Sequence, residues 1–257
     1  MIISHKYKFL FIGLPFSASS ALTKELHTNY EGKPFLRKHS LYYEFAKVAT
    51  EEEKKYFVFA VLRNPMEMTV TVYEKMRANA KGNFTNTQLF QKNGGHITDQ
   101  QLERFKFIQD NNASFQEYFL QFFTKPHDTL ASMTVNKCDF VIRYEHIAED
   151  YITALKMVGV VSPLPLPVAN KTSGKKKNEM DYYTEEIQQI AVYVFGPFLK
   201  KHGYNFPESW KNITIPYTSK ILFELLSIVR RINQRLKKKI KRKSISGSIY
   251  GDMQRES

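Results

Sequence analysis

The stretch Lys8-Phe9-Leu10-Phe11-Ile12-Gly13-Leu14-Pro15-Phe16-Ser17-Ala18-Ser19-Ser20-Ala21-Leu22-Thr23-Lys24-Glu25-Leu26 decides how this chain is read. An apolar run of strand length meets Gly13 and Pro15, passes a cluster of small hydroxyl residues, and continues as a helical pattern through Ala21, Leu22 and Leu26. That is a strand, a turn and a helix. Ser17, Ser19 and Ser20 fall where the first N–H groups of a helix have no backbone acceptor, so the turn offers donors and hydroxyls to an anion. Ordinary capping by serine explains the same residues. Both readings stay open on this stretch, because the Gly-Lys-Ser/Thr ending of a nucleotide P-loop is absent.

Outward from it, Arg37-Lys38-His39-Ser40 precedes a predicted helix through Tyr43, Phe45 and Ala46, with Ser40 as its N-cap. Tyr56-Phe57-Val58-Phe59-Ala60-Val61-Leu62 is a continuous apolar run, the pattern of a strand covered on both faces in a parallel sheet. It stops at Arg63-Asn64-Pro65, and Pro65 suits the start of the next helix, through Val70, Val72 and Tyr73. The layout of strand, polar turn and helix therefore occurs twice. In open parallel sheets ligands bind at the carboxyl ends of the strands, where both turns fall.

Residues 79–100 are polar and read as a loop, and residues 101–123 as two helices with Ser114 capping the second. Cys138-Asp139-Phe140-Val141-Ile142-Arg143-Tyr144-Glu145 is a further buried strand ending in charge, followed by a helix from Ile147 that stops at Gly159. Lys171, Lys175, Lys176 and Lys177 sit in a hydrophilic loop, and Thr184 caps an amphipathic helix with Ile187, Ile190, Val194 and Phe198 inward. The body is expected to close near Phe206-Pro207.

The formal net charge is +13, but eleven of the Lys and Arg residues lie beyond Tyr217, against Glu224, Asp252 and Glu256. The body is thus mildly basic and the tail a distinct basic element. In that tail Ile221, Leu225, Ile228, Ile232, Leu236 and Ile240 recur at helical spacing beside Arg230, Arg231, Arg235 and the run Lys237 to Lys243. This reads as a basic amphipathic helix followed by a disordered tail. Packing on the body by the apolar face is one account. Adsorption of residues 218–243 to an anionic membrane surface is preferred, and nucleic acid is disfavoured because no stacking aromatics interleave the charge.

The single cysteine, Cys138, fits a reducing compartment. With no apolar run near the roughly 20 residues that span a bilayer, and no signal-peptide pattern, the expectation is a cytoplasmic protein that is peripheral to a membrane if the tail adsorbs. No His/Cys cluster has metal-ligand spacing, so no metal is expected.

Together, Phe11-Ile12-Gly13-Leu14-Pro15, Phe59-Ala60-Val61-Leu62-Arg63-Asn64-Pro65 and Phe140-Val141-Ile142-Arg143-Tyr144-Glu145 resemble the sulfotransferase superfamily that uses 3′-phosphoadenosine 5′-phosphosulfate (PAPS), in particular its carbohydrate-type, family 2-like branch. The resemblance runs from about Lys8 to Pro207, with Tyr183-Thr184-Glu185-Glu186 through His202-Gly203-Tyr204 similar to the family's closing helix. It implies an α/β, P-loop-like three-layer fold with a central mostly parallel sheet flanked by helices, spanning residues 1–210, with the basic helix and tail at 211–257. It also implies transfer of a sulfuryl group from PAPS to a hydroxyl of a carbohydrate or glycolipid, without a metal.

Residue by residue, Pro15, Phe16, Ser17, Ala18, Ser19, Ser20 and Ala21 correspond to the family's 5′-phosphosulfate loop. Arg63 matches the 3′-phosphate arginine, Thr71 the position usually held by serine, and Lys175 the cofactor-covering segment. His39 resembles the general base that takes the acceptor's proton. Two departures stand out. Ala18 replaces a glycine, and Phe16 replaces the loop Lys or Arg that stabilises charge on the leaving oxygen. Lys38, Lys24 and Lys175 to Lys177 are the candidate substitutes, with Lys38 beside His39 as the catalytic pair. The alternative is a catalytically impaired binding protein on the same scaffold, held at a membrane surface.

Overall fold

The computed structural model describes residues 1–129, 131–167, 179–236 and 249–256. In chain order the elements are β1 (Ile2–Ser4), β2 (Phe9–Ile12), α1 (Ser19–Asn29), β3 (Lys33–Pro34), α2 (Tyr42–Ala46), β4 (Phe57–Leu62), α3 (Pro65–Arg77), α4 (Asp99–Asp110), α5 (Phe115–Phe122), α6 (Ala131–Val135), β5 (Phe140–Arg143), α7 (Ile147–Met157), α8 (Glu185–His202), α9 (Tyr217–Leu236) and α10 (Ile249–Glu256). They fall into two units. One comprises Met1–Arg63, Thr129–Asn170 and Asn233–Ser257, the other Asn64–Asp128 and Lys171–Ile232.

The first unit holds a five-stranded sheet in the order β3-β1-β2-β4-β5. β2, β4 and β5 run parallel, in register Phe11↔Phe59↔Phe140, while β1 is antiparallel to both of its neighbours. Only β1 therefore runs against the other strands, and the sheet is mostly parallel. β1 and β3 are too short to leave a periodic signal, and the sequence reading does not place them.

Alternation along the strands loads both faces. Ile2, Phe9, Phe11, Phe59, Val61 and Ile142 face Leu22 and Leu26 of α1, Tyr151, Ala154 and Leu155 of α7, and Tyr250 of α10. Met1, Ile3, Leu10, Ile12, Val58 and Ala60 face Phe45 of α2, with Val135 at the end of α6. This is the expected three-layer α/β arrangement, and it explains why β2 and β4 read as unbroken apolar runs.

Two expectations change here. Residues 249–256 form α10 rather than disordered tail: Tyr250 is 1% exposed, and its hydroxyl lies 2.6, 2.9 and 3.1 Å from the carbonyl oxygens of Met1, Phe35 and Leu36. The segment is short, and its anchor Tyr250 meets residues 214 to 249 positions earlier, so the helix is held by this distant docking. The helix after Lys38 starts at Tyr42, where the Leu41 N–H donates to Glu44 Oε2 at 2.8 Å. The Ser40 hydroxyl instead accepts from the Arg37 N–H.

The second unit is helical, with an aromatic core of Tyr73, Phe115, Tyr118, Phe119, Tyr182, Tyr183, Phe195 and Trp210. Asn64 caps α3 by accepting from the Met66 N–H at 2.9 Å, with Pro65 in the first turn. Ser114 caps α5 in a capping box with Glu117. Residues 79–100, expected as a polar loop, are anchored by buried Phe84 and Ile97, and Phe84 stacks on Phe105 of α4 at 5.2 Å between centroids.

α9 carries the apolar stripe expected from the sequence but does not pack by it. Ser219, Phe223 and Ser227 are buried, whereas Ile221, Leu225, Ile228, Val229, Ile232 and Leu236 are exposed. Lys171 to Lys177, including Lys175, and Lys237 to Lys243 lie outside the described residues.

Candidate functional site

The first unit gathers three segments at the carboxyl ends of β2 and β4. β2 ends at Gly13, where a Cβ would stand 3.1 Å from the Lys38 carbonyl oxygen and 3.2 Å from Ser19 Cβ. Glycine here lets the strand end, the Lys38-His39 segment and the first residue of α1 approach one another closely. The sequence reading gives Gly13 no role of its own, because its neighbours lie far along the chain.

The turn itself is backbone-strained. Phe16 has φ 60° and Ala18, the N-cap of α1, has φ 53° and ψ 18°, both in the left-handed region that favours glycine. Ala18 therefore holds a backbone conformation that glycine adopts at no steric cost. Replacing Ala18 by Gly removes a Cβ clash of about 1–2 kcal/mol and adds roughly 0.5–1 kcal/mol of chain entropy. The Ala18→Gly variant is thus expected to be more stable by about 1 kcal/mol, read as a higher urea midpoint with an unchanged slope.

The hydroxyls divide. Ser17 is 2% exposed and donates to the Leu14 carbonyl at 2.7 Å, so it braces the turn rather than facing outward. Ser19 is also buried, at the first position of α1. Ser20 is partly exposed, and the Lys38 ammonium donates to its Oγ at 2.5 Å. The Ala21 N–H already donates to the Ala18 carbonyl at 2.9 Å. Pro15 and Phe16 are exposed, Phe16 by 37%.

Of the candidate cations that are described, Lys38 is the one on the turn, while Lys24 lies exposed on α1. Burial lowers the pKa of Lys38 from the usual lysine value. An anion beside it would favour the charged form and oppose that shift.

His39 follows directly. Its Nδ1 is 2.7 Å from the Gly13 carbonyl, which can only accept, so Nδ1 carries the hydrogen and the lone pair stays on Nε2. Desolvation lowers the imidazole pKa to about 4, opposed by the Gly13 bond and helped by the Lys38 charge. The ring is therefore neutral at physiological pH.

At the end of β4, Arg63 is 9% exposed. Its Nη1 donates to the Phe16 carbonyl at 3.4 Å, and its guanidinium lies 4.2 Å from the ring centroid of Tyr144, just beyond β5. The carbonyl and the aromatic face fix the fork beside the strained turn. No local signal in the sequence marks Tyr144 as a partner for Arg63, since only the β4/β5 pairing brings the two together. Thr71 belongs to the second unit, 3% exposed on α3. Among the described residues, no group of three His, Cys, Asp or Glu could hold a metal ion.

The second unit contains its own cleft of about 530 Å³. Its wall includes the carboxylates of Glu67, Asp181 and Glu185, the amide of Gln188, and Trp210, which stacks on Phe206 at 5.5 Å.

A family model described as "Sulfotransferase family" matches residues 1–194. Comparison with curated proteins and with solved structures gave no match.

Proposed function

Because the chain belongs to the sulfotransferase family, we propose that it moves a sulfuryl group from PAPS to a hydroxyl of a carbohydrate or glycolipid acceptor. The observation that carries this reading is the Lys38 ammonium on Ser20 Oγ beside a neutral His39 pinned through Nδ1 to Gly13. In the reaction the acceptor oxygen bonds to sulfur, the bond from sulfur to the donor's phosphate oxygen breaks, and the acceptor hydroxyl loses its proton. Donor binding, the charge on the leaving oxygen and the acceptor proton each have a matching group in the first unit.

Ser20 and the free N–H groups at the start of α1 suit the 5′ phosphosulfate. Lys38 supplies the positive charge that Phe16 cannot. His39 Nε2 supplies a lone pair for the acceptor proton. Arg63 suits the 3′-phosphate through its planar fork, and Thr71 and Lys175 remain proposed donors to the same nucleotide.

Phe16 favours a second reading, in which the chain binds the donor without turning it over. Incubation with labelled PAPS and a panel of glycans, alongside calorimetry with the desulfonated nucleotide, separates the two. Binding with transfer supports the enzyme, binding without transfer supports the impaired scaffold, and absence of binding overturns both.

A further inference from the structure

α9 is mounted with its apolar side outward. Ile221, Leu225, Ile228, Ile232 and Leu236 recur at offsets of 4, 7, 11 and 15 residues and form one face. Ser219, Phe223, Ser227 and Arg230 recur at offsets of 4, 8 and 11 from a start two residues earlier. At 3.6 residues per turn, two residues are about 200°, so the second set lies opposite the first.

It is the second set that the body holds. The Ser219 hydroxyl donates to the Tyr193 carbonyl at 2.5 Å, Lys201 lies over the Phe223 ring at 5.2 Å, and Arg230 pairs with buried Asp128 at 2.6 Å. The outward face keeps Leu225 and Val229 53% exposed and Leu236 69% exposed. A continuous apolar stripe on a helix held by its more polar side is the reverse of a surface helix built for water.

We propose that α9 docks on an anionic lipid bilayer, lying in its plane with the Ile221–Leu236 stripe inserted and its opposite side fixed to the second unit. Charge selects the occupant. Lys220 and Arg231 are exposed on the same helix, and the sequence continues directly into Lys237-Lys238-Lys239-Ile240-Lys241-Arg242-Lys243. A second copy would bring the same positive charge face to face with itself, whereas anionic headgroups neutralise it. No helix among the described residues is long and apolar enough to cross a membrane, which leaves the in-plane pose. This differs from tethering by a charged tail, because the apolar face is held in one orientation by folded contacts. It is also independent of sulfuryl transfer.

The test is sedimentation of the full chain with phosphatidylcholine vesicles, with and without phosphatidylserine, at low and high salt. The wild type is expected to pellet with the phosphatidylserine vesicles and to be weakened, not abolished, by salt. Leu225→Asp and Ile228→Asp, both on the exposed face, are each expected to reduce binding roughly tenfold or more, with an unchanged circular dichroism spectrum. Three results would overturn the proposal: no pelleting of the wild type, full retention in both variants, or complete release by salt alone. A lipid-free dimer that the same two substitutions dissociate would assign the face to a second copy instead.

Discussion

Lys38→Ala is expected to lower kcat for sulfuryl transfer by about 10²- to 10³-fold, the usual effect of removing one preorganised group that stabilises developing charge. The ammonium is already on the turn, 2.5 Å from Ser20 Oγ, and it is partly buried, so little reorganisation is needed when charge develops there. The loss should fall mainly on kcat. A Lys38 that only propped up Ser20 would instead raise the KM for PAPS and leave kcat close to the wild type. A rescue sharpens the distinction. Phe16 is exposed on the same turn, and Phe16→Lys introduced into the Lys38→Ala background should recover at least about a tenth of the lost rate if a cation at the turn is what matters. Full kcat in the single variant would remove Lys38 from the chemistry.

His39→Ala is expected to cost roughly 10²- to 10⁴-fold in kcat/KM, the range for a positioned general base, with the affinity for the desulfonated nucleotide unchanged. The pH profile carries the finer prediction. A working base must be unprotonated, and the His39 pKa lies at about 4. Activity should therefore hold from neutral pH down through the ordinary imidazole value of about 6.5 and fall only as the pH drops towards about 4. A break near 6.5 would mean that the titrating group is another histidine or that His39 is not desolvated.

The sign for stability runs the same way. The folded ring binds its proton less readily than the unfolded one, so its contribution is complete above about 6.5 and is lost as pH falls through the folded value. Activity must accordingly be normalised to the folded fraction by circular dichroism. His39→Gln offers a control, because its side-chain amide can donate to the Gly13 carbonyl in place of Nδ1 yet cannot take the proton. Loss of activity in His39→Gln with wild-type stability would assign the effect to proton transfer rather than to the hydrogen bond.

Much of the first unit was legible in the sequence, because its central strands are covered on both faces and so read as unbroken apolar runs that end at Gly13 and at Arg63-Asn64-Pro65. The cap at Ser114 was equally local, a side chain reaching an N–H three residues on. The site was legible only in its parts list. Ser17 and Ser20 are chemically equivalent in sequence, but one turns inward to Leu14 and the other meets Lys38, eighteen residues away. Lys38, Lys24 and Lys175 to Lys177 are equivalent as cations in sequence; that the Lys38 segment lies against the start of α1 follows only from the close approach at Gly13.

The tail divides in the same manner. Its sequence by itself determined that α9 is a helix with one apolar face, because three- and four-residue spacing depends only on the helical period. Which face meets the body was decided by tertiary structure alone. The Asp128–Arg230 pair and the Ser219 bond set the rotation of the helix against the desolvation preference of its own side chains. A helix's periodicity specifies where its apolar stripe lies relative to its other residues; only contacts from distant segments specify which way that stripe points.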